Sequence, residues 1–235
     1  MSNDELIEYQ KLKVTLNQIA EQIDEQRLPI RAYHIIRIAI KQLKLKPGQT
    51  LLEREIAEVL EMSRTPVREA LVRLQTEGLL TLVPRKGFII NPIKKQDLKE
   101  IYEITESLDG LAVELATSKI TQENINHLKH LVSLQQESLD RNDLYNWSIL
   151  DDQFHADLIS FAQNTRLSSV INIHSDQLYR ARLYTINNRP IPYQSIVEHR
   201  AIIACMETKD KNAARFAMQS HRNRAWEEIA ETLEE

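Results

Sequence analysis

The chain has 235 residues, 42% of them apolar, with only 4 glycines, 7 prolines and one cysteine, and a net charge of −4. No apolar run approaches 18 residues and no signal-peptide pattern opens the chain, so the expectation is a soluble, cytoplasmic protein without a membrane partner. The lone Cys205 excludes an internal disulfide framework and a cysteine-built zinc site, which leaves a buried structural thiol. Scarce Gly and Pro among abundant Leu, Ile, Ala, Glu and Lys point to a mainly α fold.

Residues 4–26 read as an amphipathic helix, with Tyr9, Leu12, Leu16, Ile19 and Ile23 in steps of three and four. Three heptads are too few for a coiled coil, so residues 1–27 are read as a helical extension that packs on its own domain or on a partner subunit. Pro29 interrupts the pattern. A compact module spans residues 28–93. Tyr33, Ile36, Ile40 and Leu43 form one helical face, ended by the turn KPGQT; LEREIAEVL is a short second helix and EMS a tight turn. RTPVREALVRLQTEG is a third helix, with Ser63 or Thr65 as its cap, Pro66 tolerated in its first turn and Gly78 closing it. LLTLVPRKGFIINPI reads as two strands around PRKG, a hairpin with basic residues at its tip. Helix, helix, turn, helix and hairpin is the order of a winged helix-turn-helix.

From Asp97 onward the pattern is helical. Leu98, Ile101, Ile104, Leu108, Leu111 and Leu115 mark one helix, and further helices fit 122–140, 144–163, 167–186, 195–208 and 210–233. Ser195 with Glu198 has the spacing of a capping box. Residues 94–235 are therefore expected to form an all-α helical bundle large enough to be a domain. The charge follows the same division. Residues 28–92 hold 11 lysines and arginines against 6 acids, whereas residues 96–235 hold 14 against 22. A basic module joined to an acidic one fits a polyanion partner for the first alone.

In the third helix Val67, Ala70, Leu71 and Leu74 form the inward stripe, which turns Arg64, Thr65 and Arg68 to another face at the N-terminal end. Recognition helices set their first turns against base edges in the major groove, where arginine forks onto guanine. Arg54, and Arg85 with Lys86 at the hairpin tip, are placed for phosphates or the minor groove, and Gly87 permits close backbone approach. The bland alternative is a solvated basic face on an ordinary helical hairpin.

PGQTLLEREIAEVLEMSRTPVREALVRLQTEGLLTLVPRKGFII resembles the DNA-binding domain of GntR-family bacterial transcription regulators over nearly all of residues 28–93, and SRTPVREAL is highly specific to that family. The C-terminal remainder of the chain resembles the FadR-type subgroup, whose helical FCD domain binds an effector. The resemblance implies that Arg54, Ser63, Arg64, Thr65, Arg68 and Gly87 contact operator DNA, and that a homodimer binds a palindromic site. Leu52 departs from it, since relatives often cap the second helix with Ser or Asp there.

Projection at about 100° per residue sorts the seven histidines. His34, His127 and His130 fall off their apolar stripes. His155 lies with Asp151, at i and i+4, among Trp147, Phe154, Leu158 and Ala162, while Asp152 points roughly 60° further round. His199 sits among Ile196, Ile202, Ile203 and Met206; His221 among Ala214, Ala217, Met218 and Ala225; His174 among Leu167, Val170, Ile171 and Leu178. A carboxylate inside a bundle costs several kcal/mol unless paired or metal-bound. A divalent ion on Asp151 and three imidazoles satisfies all of these groups together, and a buried hydrogen-bond network is the alternative.

Metal-binding FCD domains carry Asp-x3-His on one helix and a histidine on each of two later helices. Asp151, His155, His199 and His221 match that resemblance in type and order, with zinc first and nickel or manganese as other candidates. The resemblance further implies a small organic acid effector. Its usual arginine on the domain's first helix is replaced by Thr105, so Arg182 is the expected substitute and His174 the expected pocket or supporting residue. A metalloenzyme would need a general base, and Asp152 and Asp157 project away from the centre.

Overall fold

The computed structural model describes residues 3–233; residues 1, 2, 234 and 235, the outer ends of the expected first and third segments, lie outside them. The chain divides between Ile93 and Lys94 into two compact units.

The first unit runs α1 (Asn3–Ala20), α2 (Leu28–Lys41), β1 (Thr50–Leu51), α3 (Glu53–Val59), α4 (Arg64–Thr76), β2 (Leu80–Val83) and β3 (Gly87–Ile90). Its strands form an antiparallel sheet in the order β1-β3-β2, with Leu51 opposite Phe88 and Leu80 opposite Ile90. Two-residue β1 has no period to read, and sequence patterning misses it. Helix α1 ends at Ala20 rather than at residue 26, because the Glu21 and Gln22 amides close it on the Asn17 and Ile19 carbonyls. Leu12, Leu16 and Ile19 bury in one core with Ile35, Ile36, Leu51, Leu71 and Phe88, and Tyr9 and Ile23 pack half-buried against it. Each such aliphatic side chain contributes about 1.5–3 kcal/mol by leaving water.

Ser63 stands at the N-cap of α4 without a side-chain cap bond, and Leu52 is the uncapped N-cap of α3. Gly78 follows α4 with φ +77° and closes it. At the hairpin tip the Lys86 amide donates to the Val83 carbonyl at 3.0 Å, with Pro84 next and Arg85 at φ +65°. That is a type II turn holding an arginine where glycine is easier.

The second unit is helical: α5 (Lys95–Lys119), α6 (Gln122–Asp140), α7 (Leu144–Phe161), α8 (Thr165–Thr185), a 3-10 turn (Ile186–Asn188), α9 (Tyr193–Glu207) and α10 (Lys211–Ala230). Side chains of Thr121, Asp143, Asn164 and Asp210 cap α6, α7, α8 and α10 by accepting from backbone amides. The capping box expected from Ser195 and Glu198 is absent. Helix α9 starts two residues earlier, at Tyr193, with Pro192 at the N-cap, so both side chains face other helices instead.

The buried face of α5 is also rotated from the expected leucine stripe. Leu98, Ile101, Tyr102, Thr105, Asp109, Ala112, Val113 and Ala116 are buried, whereas Ile104 is 48% exposed. Polar Thr105 and Asp109 on the inward side hide that face from a hydrophobicity pattern. Cys205 is half-buried at the edge of the core rather than enclosed. Among the described residues no helix is long and apolar enough to cross a membrane.

Candidate metal centre and nucleic-acid surface

Three helices of the second unit bring three imidazoles together. His155 on α7, His199 on α9 and His221 on α10 are 5%, 0% and 3% exposed, and each offers a ring nitrogen within 4.8 Å of the others. The Nε2 atoms of His155 and His221 lie 3.3 Å apart. Asp151, one turn before His155, directs Oδ1 to 3.7 Å from His199 Nε2 and 3.9 Å from His155 Nε2. Coordination shells built on bonds of about 2.1 Å have ligand–ligand edges of about 3.0–3.4 Å. The three imidazoles, within 4.8 Å of one another, and the Asp151 carboxylate, which meets His155 and His199 but stands outside that cluster, would have to draw closer to share one ion.

The outer ring nitrogens are already committed. His199 Nδ1 meets Gln135 Oε1 at 2.9 Å, and His221 Nδ1 meets Glu198 Oε2 at 2.7 Å. Both partners are acceptors, so each Nδ1 carries the proton and each Nε2 turns a lone pair inward. Burial pushes the pKa of all three histidines well below 6.5, helped by Arg222 for His155 and His221 and by His221 for His199. Neutral imidazole is the form that ligates. His199 Nε2 is buried with no hydrogen-bond partner. The donor set, three neutral nitrogens and one carboxylate, therefore fits a divalent transition ion.

The aspartate has a partner besides the imidazoles. Arg182 on α8 sets Nε 3.1 Å from Asp151 Oδ2 and Nη2 3.3 Å from Asp152 Oδ1. Burial pushes the Asp151 carboxyl up while Arg182 holds it down. The pairing joins helices about 30 residues apart in the chain and leaves no periodic trace. Asp152 thus reaches the centre's counter-ion, although it points away from the centre itself. Asp157 bonds His127 Nε2 at 2.7 Å on the surface.

The other expected pocket residues behave differently. Thr105 is fully buried but donates its hydroxyl to its own helix, at the Ile101 carbonyl. His174 is half-buried with an unpartnered Nδ1, and sits eight residues before Arg182, about 12 Å along α8. It is not among the converging imidazoles. Sequence reasoning misses Gln135 and Glu198. Glu198 does carry a signal, as the neighbour of His199, but the capping-box pattern with Ser195 claims it.

In the first unit Arg54, Ser63, Arg64, Thr65, Arg68, Arg85 and Lys86 are all exposed. Arg64 Nη2 lies 3.4 Å and Arg68 Nε 3.9 Å from the two oxygens of Glu53, so one carboxylate at the start of α3 lines up both arginines from the first turns of α4. Gly87 has an internal reason to be glycine. Its φ is +99°, and a Cβ would stand 2.8 Å from the Leu51 carbonyl oxygen and 2.9 Å from Leu52 Cδ2.

The family models agree with this division. The model described as "Bacterial regulatory proteins, gntR family" matches residues 28–90, and that of the FCD domain matches residues 100–224, more than half of the chain. The chain belongs to the GntR family of bacterial regulators. It is a DNA-binding transcriptional regulator with a C-terminal FCD domain, and not an enzyme. An HTH-type regulator from the TAR-I ttuE-ttuC' intergenic region of Agrobacterium vitis is 40% identical over 134 residues, 56% of this chain and 78% of its own. YdhC of Bacillus subtilis, also an HTH-type regulator, is 28% identical over 208 residues, 88% of this chain and 92% of its own. Among solved structures, E. coli McbR/YncC shares the fold with TM-score 0.74 at 24% identity, covering 84% of this chain and 94% of its own.

Proposed function

We propose that this GntR regulator senses through a divalent metal centre in its FCD domain. Asp151, His155, His199 and His221 hold the ion, with zinc first and nickel or manganese as alternatives. When bound, the ion would supply a Lewis-acidic positive charge able to attract the carboxylate of a small organic acid. The protein's own groups set that chemistry up: Gln135 and Glu198 orient two imidazoles, and Arg182 pairs with Asp151 and opposes the upward shift that burial gives its carboxyl. The observation that carries the reading is the convergence of three buried imidazoles, one with an Nε2 lacking any hydrogen-bond partner, beside a single carboxylate oxygen.

In the first unit, Arg64, Thr65 and Arg68 read bases in the major groove, Ser63 and Arg54 hold phosphates, and Arg85, Lys86 and Gly87 form a wing tip against the backbone. The protein works in the cytoplasm as a homodimer on a palindromic operator, and the effector shifts the population of dimer arrangements that fit both half-sites. Elemental analysis of purified protein tests the centre. About one transition ion per chain is expected in the wild type and a marked loss in His199→Ala. A wild type that retains no metal after refolding with Zn²⁺, Ni²⁺ or Mn²⁺ overturns the reading in favour of a buried hydrogen-bond network.

A further inference from the structure

The buried arginines of the second unit are unequally satisfied. Arg182 spans Asp151 and Asp152, and Arg222 sets both Nε and Nη2 on Asp109 Oδ2, at 2.7 and 2.6 Å. Arg224 is held by Glu198, Glu228 and Ser195. Arg189, just after the 3-10 turn, differs. Only its Nη1 is engaged, 3.3 Å from Glu228 Oε2, and Glu228 gives its other oxygen to Arg224. Its Nε and Nη2 are buried without a hydrogen-bond partner, on a side chain only 3% exposed.

Nε–H and Nη2–H lie on one edge of the guanidinium and point the same way. That edge matches the two oxygens of a single carboxylate, and a lone carbonyl or hydroxyl engages only one of the two donors. A further donor faces the same interior. The Tyr102 hydroxyl on α5 is buried and unpartnered, and it lies within Coulombic reach of Arg182, Arg189, Arg222 and Asp151. Arg189 in turn is in Coulombic reach of Tyr102, Asp151 and Arg182. These three donors have no acceptor of their own, and together they select an oxyanion rather than a cation.

We propose that Arg189 and Tyr102 form a second anion subsite beside the histidine centre, so that the ligand of this domain is a dicarboxylate. One carboxylate goes to the metal centre and the other forks onto the Nε/Nη2 edge of Arg189, with the Tyr102 hydroxyl donating to it. This rests on the metal-and-carboxylate reading above.

Titration calorimetry on full-length, zinc-loaded protein tests it, with malonate, succinate and glutarate set against acetate and propionate at constant ionic strength. At least one diacid is expected to bind about tenfold or more tightly than either monoacid, as two charge-assisted hydrogen bonds imply. Arg189→Gln removes that preference and Tyr102→Phe reduces it, with zinc content unchanged. Equal binding of mono- and diacids by the wild type overturns the second subsite and leaves the metal-and-carboxylate reading intact. Binding by none of the five acids overturns both. A preference that survives Arg189→Gln in protein with a wild-type melting profile also overturns the assignment. The wild-type comparison needs no variant, so a misfolded Arg189→Gln protein does not spare the proposal.

Discussion

The two units keep their chemistry in opposite places. The core of the first is apolar throughout, from Leu12 to Ile90, and its charged side chains of interest stand in solvent. The buried polar and charged residues of the described chain all belong to the second, including Asp109, Asp151, Arg182, Arg222 and the three histidines. A module that presents a surface to a polyanion needs only a rigid scaffold, and apolar packing supplies one. A module that buries charge in its core makes each buried charge depend on its partners.

Substitutions can break that contrast. The largest effect is expected from Asp109→Ala, which leaves Arg222 buried and unpaired; urea unfolding should show a loss of about 3–5 kcal/mol in the second unit. Acidification comes next. The three histidines have folded pKa values below their unfolded value near 6.5, so the unfolded state takes up protons first and stability falls as pH drops below 6.5. In metal-free protein the loss between pH 6.5 and 5.5 should be about 1 kcal/mol per histidine by thermal or urea melts. Asp151, whose carboxyl is pushed up, acts in the opposite sense through its own window above 3.8. Glu198→Ala should weaken metal affinity about tenfold to a hundredfold in chelator competition, because His221 loses the acceptor that fixes its tautomer.

The smallest effect on stability belongs to the first unit. Arg68→Ala removes a side chain that is 68% exposed, and unfolding should shift by no more than about 0.5 kcal/mol. Operator affinity should nevertheless fall by about 1–3 kcal/mol in a gel-shift titration, with relaxed specificity at one base pair. Unchanged affinity would remove Arg68 from the reading face.

Legibility follows the same line. In the first unit the apolar periods of α2 and α4, the PRKG turn and Gly78 announce the architecture, and two-residue β1 escapes. In the second, helix positions are legible to within two or three residues, and the four centre residues stand out because a histidine on an apolar stripe is conspicuous. What escapes is whatever depends on partners far apart in the chain: Arg182 against Asp151, Gln135 against His199, Arg189 with two unused donors. The α5 face is hard to read for a related reason, since Thr105 and Asp109 turn inward where a pattern rule expects Ile104.

Glu198 carries a last consequence. It precedes His199 on α9 yet bonds His221 and Arg224 on α10, so adjacent positions serve two different imidazoles. An insertion or deletion between residues 193 and 198 that turns α9 by a single residue displaces one imidazole of the cluster and the anchor of another at once. Drift in this lineage should therefore spare the length of the first turns of α9 far more strictly than their composition.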